Sequence, residues 1–208
     1  VYEMNDEFID ERIESQIIDF LDKNLHDYDL VIVQDYGHGL ITENIISKLI
    51  KKAKFLAVNA QINSGNFGYN IITKYQNAKY YCLDLPEARM AINSKYMDPE
   101  IIPQELINIT NGDNITITMG KKGSISCNSL GETCHSPAIE SDDKVIDTMS
   151  AGDSYYALSA PVLLISNSIQ LAALAGNIAG AMKVGVSGMY DLIDKKVFLE
   201  KLKLQINL

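Results

Sequence analysis

Short apolar segments alternate with amphipathic ones over the first 120 residues, and this alternation constrains the fold more than any other feature. The apolar segments have the length of buried strands: DLVIVQD (29–35), FLAVN (55–59), KYYCLDL (79–85) and NITITMG (114–120). Helical spacing or helix-start signals precede and separate them over about 8–25, 42–53, 86–94 and 102–109. Strands that are apolar on both faces and separated by helices are typical of a parallel sheet covered on both sides. The sequence therefore predicts an α/β fold.

The pattern changes after Gly120. The segments GSISCNS and GETCHSP alternate in polarity around a glycine-containing turn, which predicts a β-hairpin. Further helices are expected at about 151–165, 168–184 and 194–203, and Pro161 should kink or break the first of them. The polar loop 59–68 follows a strand directly, where open α/β sheets bind ligands.

Composition limits the classes of partner. The chain has 208 residues, suited to one domain, and a formal net charge of −9, which argues against binding to nucleic acid or to an anionic membrane. Three cysteines without zinc-type spacing predict reduced thiols, with a hairpin pair between Cys127 and Cys134 as the alternative. The acidic, amphipathic start is unlike a signal peptide, so a cytoplasmic protein is expected.

The segment VIDTMSAGDSYYALSA (145–160) carries the strongest chemical signal. A helix that begins at Ser150-Ala151-Gly152-Asp153 points several unpaired backbone N–H groups outward, which makes an anion site from the main chain. Asp153 could be a simple N-terminal charge, worth under about 1 kcal/mol. A cap alone does not explain the small residues around it, which leave room for a large anion.

The segment DTMSAGDSYYA resembles the second signature of the ribokinase/PfkB carbohydrate kinase family, Asp-Thr-x-Gly-Ala-Gly-Asp followed by a helix. The resemblance implies that Asp153 is the general base that takes the proton of the sugar hydroxyl. It also implies that the amides of Ser150, Ala151 and Gly152 stabilise the phosphoryl group in transfer. Asp147 would lie near the phosphate and a monovalent cation, although an Asp before Thr also commonly forms a turn.

Other segments resemble the heptose-phosphate kinase branch of that family. VIVQDYGHGLIT resembles its strand and loop, so Asp35 lines the cleft or else forms a structural Asx turn. DLPEA resembles its Asn-x-x-Glu motif, which implies a magnesium and phosphate role for Asp84 and Glu87; both could instead be charges at a helix N-terminus. TITMGKKGS and LAALAGNIAGAMKVGVSG resemble its nucleotide-binding segments. These imply ATP contacts from Gly120, Lys121, Gly123, Asn177, Gly185 and Gly188. Asn177 could instead only satisfy a backbone group of the protein.

Three departures from the family pattern bear on activity. Ser150 replaces a glycine, which would cost about 1–2 kcal/mol if that position needed a positive φ. Gln61 stands where the heptose kinases carry a lysine, and it is assigned here to the phosphate end of the site. The N-terminal half of the family's domain, with its substrate signature and β lid, is not recognised in the sequence.

Together these features predict a ribokinase-like, Rossmann-like α/β domain with a mostly parallel sheet, in which residues 1–208 form the C-terminal portion of a PfkB-type kinase domain. The expected function is ATP- and Mg²⁺-dependent phosphorylation of a sugar or sugar-phosphate hydroxyl. The alternative is a catalytically weakened, nucleotide-binding domain that serves a partner or fused enzyme domain. A homo-oligomer would cover the sheet edge that a missing half leaves open.

Overall fold

The computed structural model describes residues 7–139, 150–184 and 192–206. Within these ranges one sheet has strands in chain order: β1 (Val31–Asp35), β2 (Leu56–Ala60), β3 (Tyr80–Asp84), β4 (Asn114–Thr118), β5 (Ser124–Asn128) and β6 (Thr133–Ser136). Strands β1 to β4 are parallel, and β5 and β6 continue the sheet as an antiparallel hairpin. The mostly parallel sheet expected from the sequence is confirmed.

Helices cover both faces of this sheet. Helices α1 (Glu11–Asn24), α2 (Glu43–Lys52), α3 (Leu85–Ala91) and α4 (Ile102–Thr110) pack on one face. Helices α5 (Ala151–Ser166) and α6 (Ile169–Val184) pack on the other, and α7 (Lys195–Ile206) packs against α6. Thr42 is the N-cap of α2, a position that favours threonine, and its hydroxyl accepts a hydrogen bond from the N–H of Ile45 at 3.3 Å.

Alternation along the strands decides which side chains reach which helices. In β2, Leu56, Val58 and Ala60 lie in the core beneath α1 to α4, whereas Ala57 lies in the core beneath α5 and α6. Successive residues of a strand point to opposite faces of the sheet. Because of this alternation, polar side chains at the carboxyl ends of β1 and β2 lie beside the start of α5.

Helix α5 runs without a break through Pro161, so of the predicted kink or break the break is wrong. Buried residues lie on both sides of the proline, among them Tyr156, Ala160 and Leu163, and their packing against the sheet and α6 stabilises the continuous helix. Close packing also requires Gly176 of α6, because a Cβ there would lie 2.5 Å from the ring of Tyr155.

Strand β1 lies at one edge of the sheet in the described part of the chain, where it pairs with β2 alone. Ile32, in the middle of this strand, is 42% exposed. This agrees with the open strand edge expected from the sequence. Cys82, Cys127 and Cys134 all lie in the described ranges and are free thiols, so the hairpin disulfide is not formed. Within the same ranges, none of the helices combines the length and apolar character needed to cross a membrane.

Candidate active site

A cleft of about 950 Å³ lies where the carboxyl ends of β1 to β4 meet the N-terminus of α5. The loop after β4 and the second half of α6 close its other side. The predicted site residues that line it are Gln61, Asp84, Glu87, Gly120, Lys121, Gly123, Ala151, Gly152, Asp153 and Asn177. The carboxyl edge of a parallel sheet is where open α/β folds bind ligands.

Asp153 lies half-buried in the first turn of α5, with its carboxylate against the sheet edge. Its Oδ1 accepts hydrogen bonds from Nε2 of Gln34 at 2.8 Å and from Nε2 of Gln61 at 3.0 Å. Burial raises the pKa of Asp153, and the two amides oppose that rise. The arrangement gives a carboxylate of increased basicity that faces a cleft.

The start of α5 presents an accessible main chain. A Cβ on Gly152 would have no described atom within 4 Å, and Gly152 does not have a positive φ, so neither packing nor backbone conformation requires a glycine there. Ser150 has φ −100° and ψ 6°, so the strain considered for a serine at this position is absent. The unpaired N–H groups of this first turn and the helix dipole favour an anion.

Two tyrosines fix this turn in place. The hydroxyl of Tyr156 donates to the carbonyl oxygen of Val33 in β1 at 3.1 Å. The hydroxyl of Tyr155 lies 2.8 Å from that of Ser124 in β5. Both tyrosines are buried. Their hydrogen bonds attach α5 to two separate strands, β1 and β5, immediately after Asp153.

Asp84 and Glu87 form a capping box at the start of α3. Asp84 Oδ1 accepts from the N–H of Glu87 at 2.7 Å, and Glu87 Oε2 accepts from the N–H of Asp84 at 2.9 Å. Glu87 Oε1 also accepts from the N–H of Ile62 at 3.1 Å. Burial, with the nearby charge of Asp84 as a smaller cause, raises the pKa of Glu87 to about 7, and burial also raises the pKa of Asp84. Both carboxylates therefore have a structural role and line the cleft as well.

The predicted nucleotide segments lie on the opposite side of the cleft from β1. Gly120 and Lys121 belong to a short 3₁₀ helix after β4, and Gly123 ends it with φ +84°. A Cβ on Gly123 would lie 2.0 Å from the carbonyl oxygen of Ser136, so the protein's own backbone accounts for this glycine.

Asn177 lies on α6, where its Nδ2 donates to Oγ of Ser136 at 2.9 Å and to the carbonyl oxygen of Pro137 at 3.1 Å. The side-chain nitrogen of Asn177 therefore hydrogen-bonds to the protein itself, which is the structural alternative to a contact with ATP. Gly185, Gly188 and Asp147 lie outside the described residues.

Asp35 does not line the cleft, and of its two interpretations the structure shows the Asx turn: Oδ1 accepts from the N–H of Gly37 at 2.9 Å. Its Oδ2 accepts from the hydroxyl of Tyr75 at 2.7 Å and pairs with Nζ of Lys74 at 2.6 Å. The physical reason is the period of the strand, since Asp35 and Gln34 must point to opposite faces.

Sequence reasoning missed Gln34 and Asn59, which are neighbours in register on β1 and β2 and line the cleft together. Asn59 is buried, and its Nδ2 donates to the carbonyl oxygen of Cys82 at 2.7 Å. Among the described residues its Oδ1 has no hydrogen-bond partner, which leaves a buried acceptor beside the cleft. Residues two apart on a strand point to the same face of the sheet, so the choice of Gln61 as a site residue would have identified Asn59 as another.

The fold and the cleft define a class of α/β protein that combines a parallel sheet, a helix N-terminus suited to an anion and a carboxylate on the same turn. Solved structures of proteins with these features are similar to this chain. Escherichia coli phosphofructokinase-2 in complex with potassium matches with a TM-score of 0.76 and 15% identity, over 97% of this chain and 64% of that one. Arabidopsis thaliana ribokinase complexed with ribose and ATP matches with a TM-score of 0.70 and 17% identity, over 95% of this chain and 60% of that one. The ribokinase-like fold expected from the sequence is confirmed.

The family follows from the sequence comparisons. Residues 75–196 match the model of the pfkB family carbohydrate kinases. The chain belongs to this family. Bifunctional protein HldE of Trichlorobacter lovleyi is 30% identical over 184 residues, and that of Rhodopseudomonas palustris (strain BisA53) is 28% identical over 182 residues. Each alignment covers 85% of this chain and 36% of the relative, so the chain spans about a third of these relatives' length.

Proposed function

We propose that this chain forms the nucleotide-binding and catalytic part of an ATP-dependent phosphotransferase that acts on a hydroxyl of a sugar or sugar phosphate. The observation that carries the proposal is the position of Asp153, whose carboxylate faces the cleft from the same helical turn that presents the unpaired N–H groups. A base and an anion site one turn apart are what transfer of a phosphoryl group to a hydroxyl requires. Membership of the carbohydrate kinase family supports a sugar as the acceptor.

Asp153 acts as the base. The acceptor hydroxyl gives its proton to this carboxylate while its oxygen forms a bond to the γ-phosphorus. The bond from that phosphorus to the bridging oxygen breaks, and ADP leaves with the electron pair. Burial favours this role because it raises the pKa of Asp153 and so makes the carboxylate a better proton acceptor.

The first turn of α5 and Lys121 stabilise the negative charge. The N–H groups around Ala151 and Gly152 face the transferred phosphoryl oxygens, and the open space above Gly152 lets those oxygens approach the main chain. Lys121, on the far side of the cleft, supplies a positive charge to the nucleotide phosphates. The sequence has no GxxxxGK[ST] loop, so the helix N-terminus takes the place of a P-loop.

Asp84 and Glu87 fit a magnesium ion that is shared with phosphates. Mg²⁺ in kinases is usually held by one or two carboxylates together with phosphate and water oxygens. Both residues line the cleft, and their ionised forms are destabilised by burial, which a cation would offset. Among the described residues no group of three or more acidic, histidine or cysteine side chains could hold a metal ion alone. The ion would neutralise charge on the transferred phosphate.

The test combines turnover with nucleotide binding in the full-length protein. ADP release is measured with ATP, Mg²⁺ and a panel of sugars and sugar phosphates, and ATP affinity is measured by calorimetry. Gly152→Val should weaken ATP binding at least about tenfold without lowering the melting temperature, because its side chain enters the cleft and meets no described protein atom. Ala157→Val, at an exposed position on the same helix, is the matched control and should leave both unchanged.

ADP release that depends on an acceptor supports the proposal. ATP binding without turnover on any acceptor would favour the alternative of a catalytically weakened domain. ATP binding that is absent, or equal in the two valine variants, contradicts a nucleotide site at α5.

A further inference from the structure

Two neutral amides bind one oxygen of the candidate base. Nε2 of Gln34 and Nε2 of Gln61 both donate to Oδ1 of Asp153, at 2.8 and 3.0 Å. The amides come from neighbouring strands, while the carboxylate comes from a helix 119 residues later than Gln34 and 92 later than Gln61. Double occupation of Oδ1 leaves Oδ2 as the oxygen that can take a proton.

The main chain that carries Gln61 is held on both sides. Its N–H donates to the carbonyl oxygen of Asp35 at 2.8 Å. Its carbonyl oxygen accepts from Nδ2 of Asn66 at 2.8 Å and from Nδ2 of Asn70 at 3.1 Å. Asn66 and Asn70 are buried, so this network fixes the point from which the Gln61 side chain extends.

Gln34 is fixed by the sheet, because it lies within β1 opposite Asn59 of β2. The preceding residue, Val33, accepts the hydroxyl of Tyr156 from α5. Helix α5 is therefore tied to β1 next to the amide that binds Asp153. All three groups of the Gln34–Gln61–Asp153 cluster have supported backbones.

We propose that Gln34 and Gln61 are positioning residues that orient the Asp153 carboxylate, with Oδ1 held by the protein and Oδ2 directed to the acceptor hydroxyl. The proposal deepens the kinase function proposed above and rests on it for the role of the proton. A carboxylate that is already held in the reactive orientation reacts faster than one that must first rotate into it.

The amides also set the acidity of the carboxylate. Hydrogen bonds to the ionised form lower a carboxyl pKa, and both amides act in that direction on Asp153 against its burial. A lysine at position 61 would lower it further through its charge and make a weaker base, so Gln61 retains orientation without that loss of basicity. Other ionisable groups that face Asp153 or share its cleft are Tyr36, Cys82, Asp84, Glu87, Lys121, Tyr155 and Tyr156.

The experiment follows the ionisation of Asp153 directly. Carboxyl carbons of the full-length protein are labelled with ¹³C at aspartate, and the Asp153 signal is assigned by its loss in Asp153→Asn. Its titration is then compared in wild type, in Gln34→Leu with Gln61→Leu, and in Gln61→Lys. Leucine is close to glutamine in size but cannot donate a hydrogen bond. Gln104→Leu, on α4 and outside the cleft, is the matched control.

The double leucine variant should raise the titration midpoint by at least about one pH unit, because it removes two hydrogen bonds that favour the ionised carboxylate. Gln61→Lys should move the midpoint in the opposite direction, and Gln104→Leu should not move it. In an active enzyme the acid limb of kcat/KM should shift with the midpoint, because the base works only when ionised. Turnover in the double variant should also fall at pH values above that limb, where the carboxylate is fully ionised and only its orientation differs.

An unchanged midpoint in a folded double variant overturns the proposal. If that variant does not fold, Gln61→Lys decides instead, and a midpoint equal to or above that of wild type overturns it. Shifts as expected in a protein without turnover would support the positioning of Asp153 and reject the kinase function. Shifted midpoints with turnover unchanged above the acid limb would show that orientation is not needed and contradict the proposal.

Discussion

Replacement of Asp153 by asparagine tests the proposed base with the least change in shape. In the wild type the side-chain amides of Gln34 and Gln61 donate to Oδ1 of Asp153 at 2.8 and 3.0 Å. The asparagine oxygen can still accept these two hydrogen bonds, and the asparagine nitrogen takes the position of Oδ2. The variant therefore keeps the hydrogen-bonded geometry and loses the proton acceptor. Loss of a general base lowers turnover by about 10²–10⁴-fold, which corresponds to about 3–5 kcal/mol of transition-state stabilisation.

Stability should change in the other direction. Because burial raises the folded-state pKa of Asp153, its contribution to stability is present below the unfolded pKa and is lost as the pH rises through the folded pKa. The ionised carboxylate is thus unfavourable to folding at neutral pH, and asparagine removes that charge. The melting temperature of Asp153→Asn should equal or exceed that of wild type at pH 7, and the difference should fall toward pH 4.

The assay is ADP release by the full-length protein at saturating ATP, with melting curves at both pH values. Asp113→Asn is the control, because Asp113 is exposed and pairs with Lys79 at 2.7 Å outside the cleft. An exposed pair contributes under about 1 kcal/mol, so turnover and stability should stay close to wild type. Turnover of Asp153→Asn within about twofold of wild type would refute the assignment of the base.

Two further predictions concern stability. Glu87→Gln keeps the capping box, loses the hydrogen bond from the N–H of Ile62 at every pH, and removes a carboxyl whose pKa is raised to about 7. The variant should therefore gain in melting temperature relative to wild type as the pH rises from about 5 to 8 without Mg²⁺; a constant difference would contradict the raised pKa. Gly123→Ala should lower the free energy of unfolding by at least about 2 kcal/mol, since its Cβ would combine φ +84° with a 2.0 Å approach to Ser136. Gly120→Ala, with φ +56° and open space, should cost only about 1 kcal/mol in denaturant titrations, and equal losses would argue against the clash.

The order of elements was predictable because it depends on local patterns. Apolar runs and helical spacing predict β1 to β4 and the helices between them, and Thr42 begins α2 as its side chain suggests. The helix does not break at Pro161 because the helix-breaking tendency of one residue is weaker than the burial of the residues on either side of it. Local sequence does not contain that packing.

The cleft was predictable in place but less so in its members. Asp153 and the Asp84–Glu87 pair line it, and their catalytic and metal-binding roles stay predictions. Asp35 was selected because VIVQDYGHGLIT resembles a family segment, and Gln34 was not considered, although adjacent residues of a strand point to opposite faces of the sheet. The contacts of Gln34 and Gln61 with Asp153 span 119 and 92 residues, and no local pattern specifies pairs at that distance.

The chain order of the strands has a consequence for how the molecule is made. Each strand from β2 to β6 pairs with the strand synthesised just before it, so the sheet can assemble progressively as the chain emerges during translation. Asp153 joins Gln34 only after α5 has been synthesised and has packed on the sheet, across a separation of 119 residues. A chain that has formed its sheet without α5 would therefore lack the carboxylate that Gln34 and Gln61 bind at the edge of the cleft.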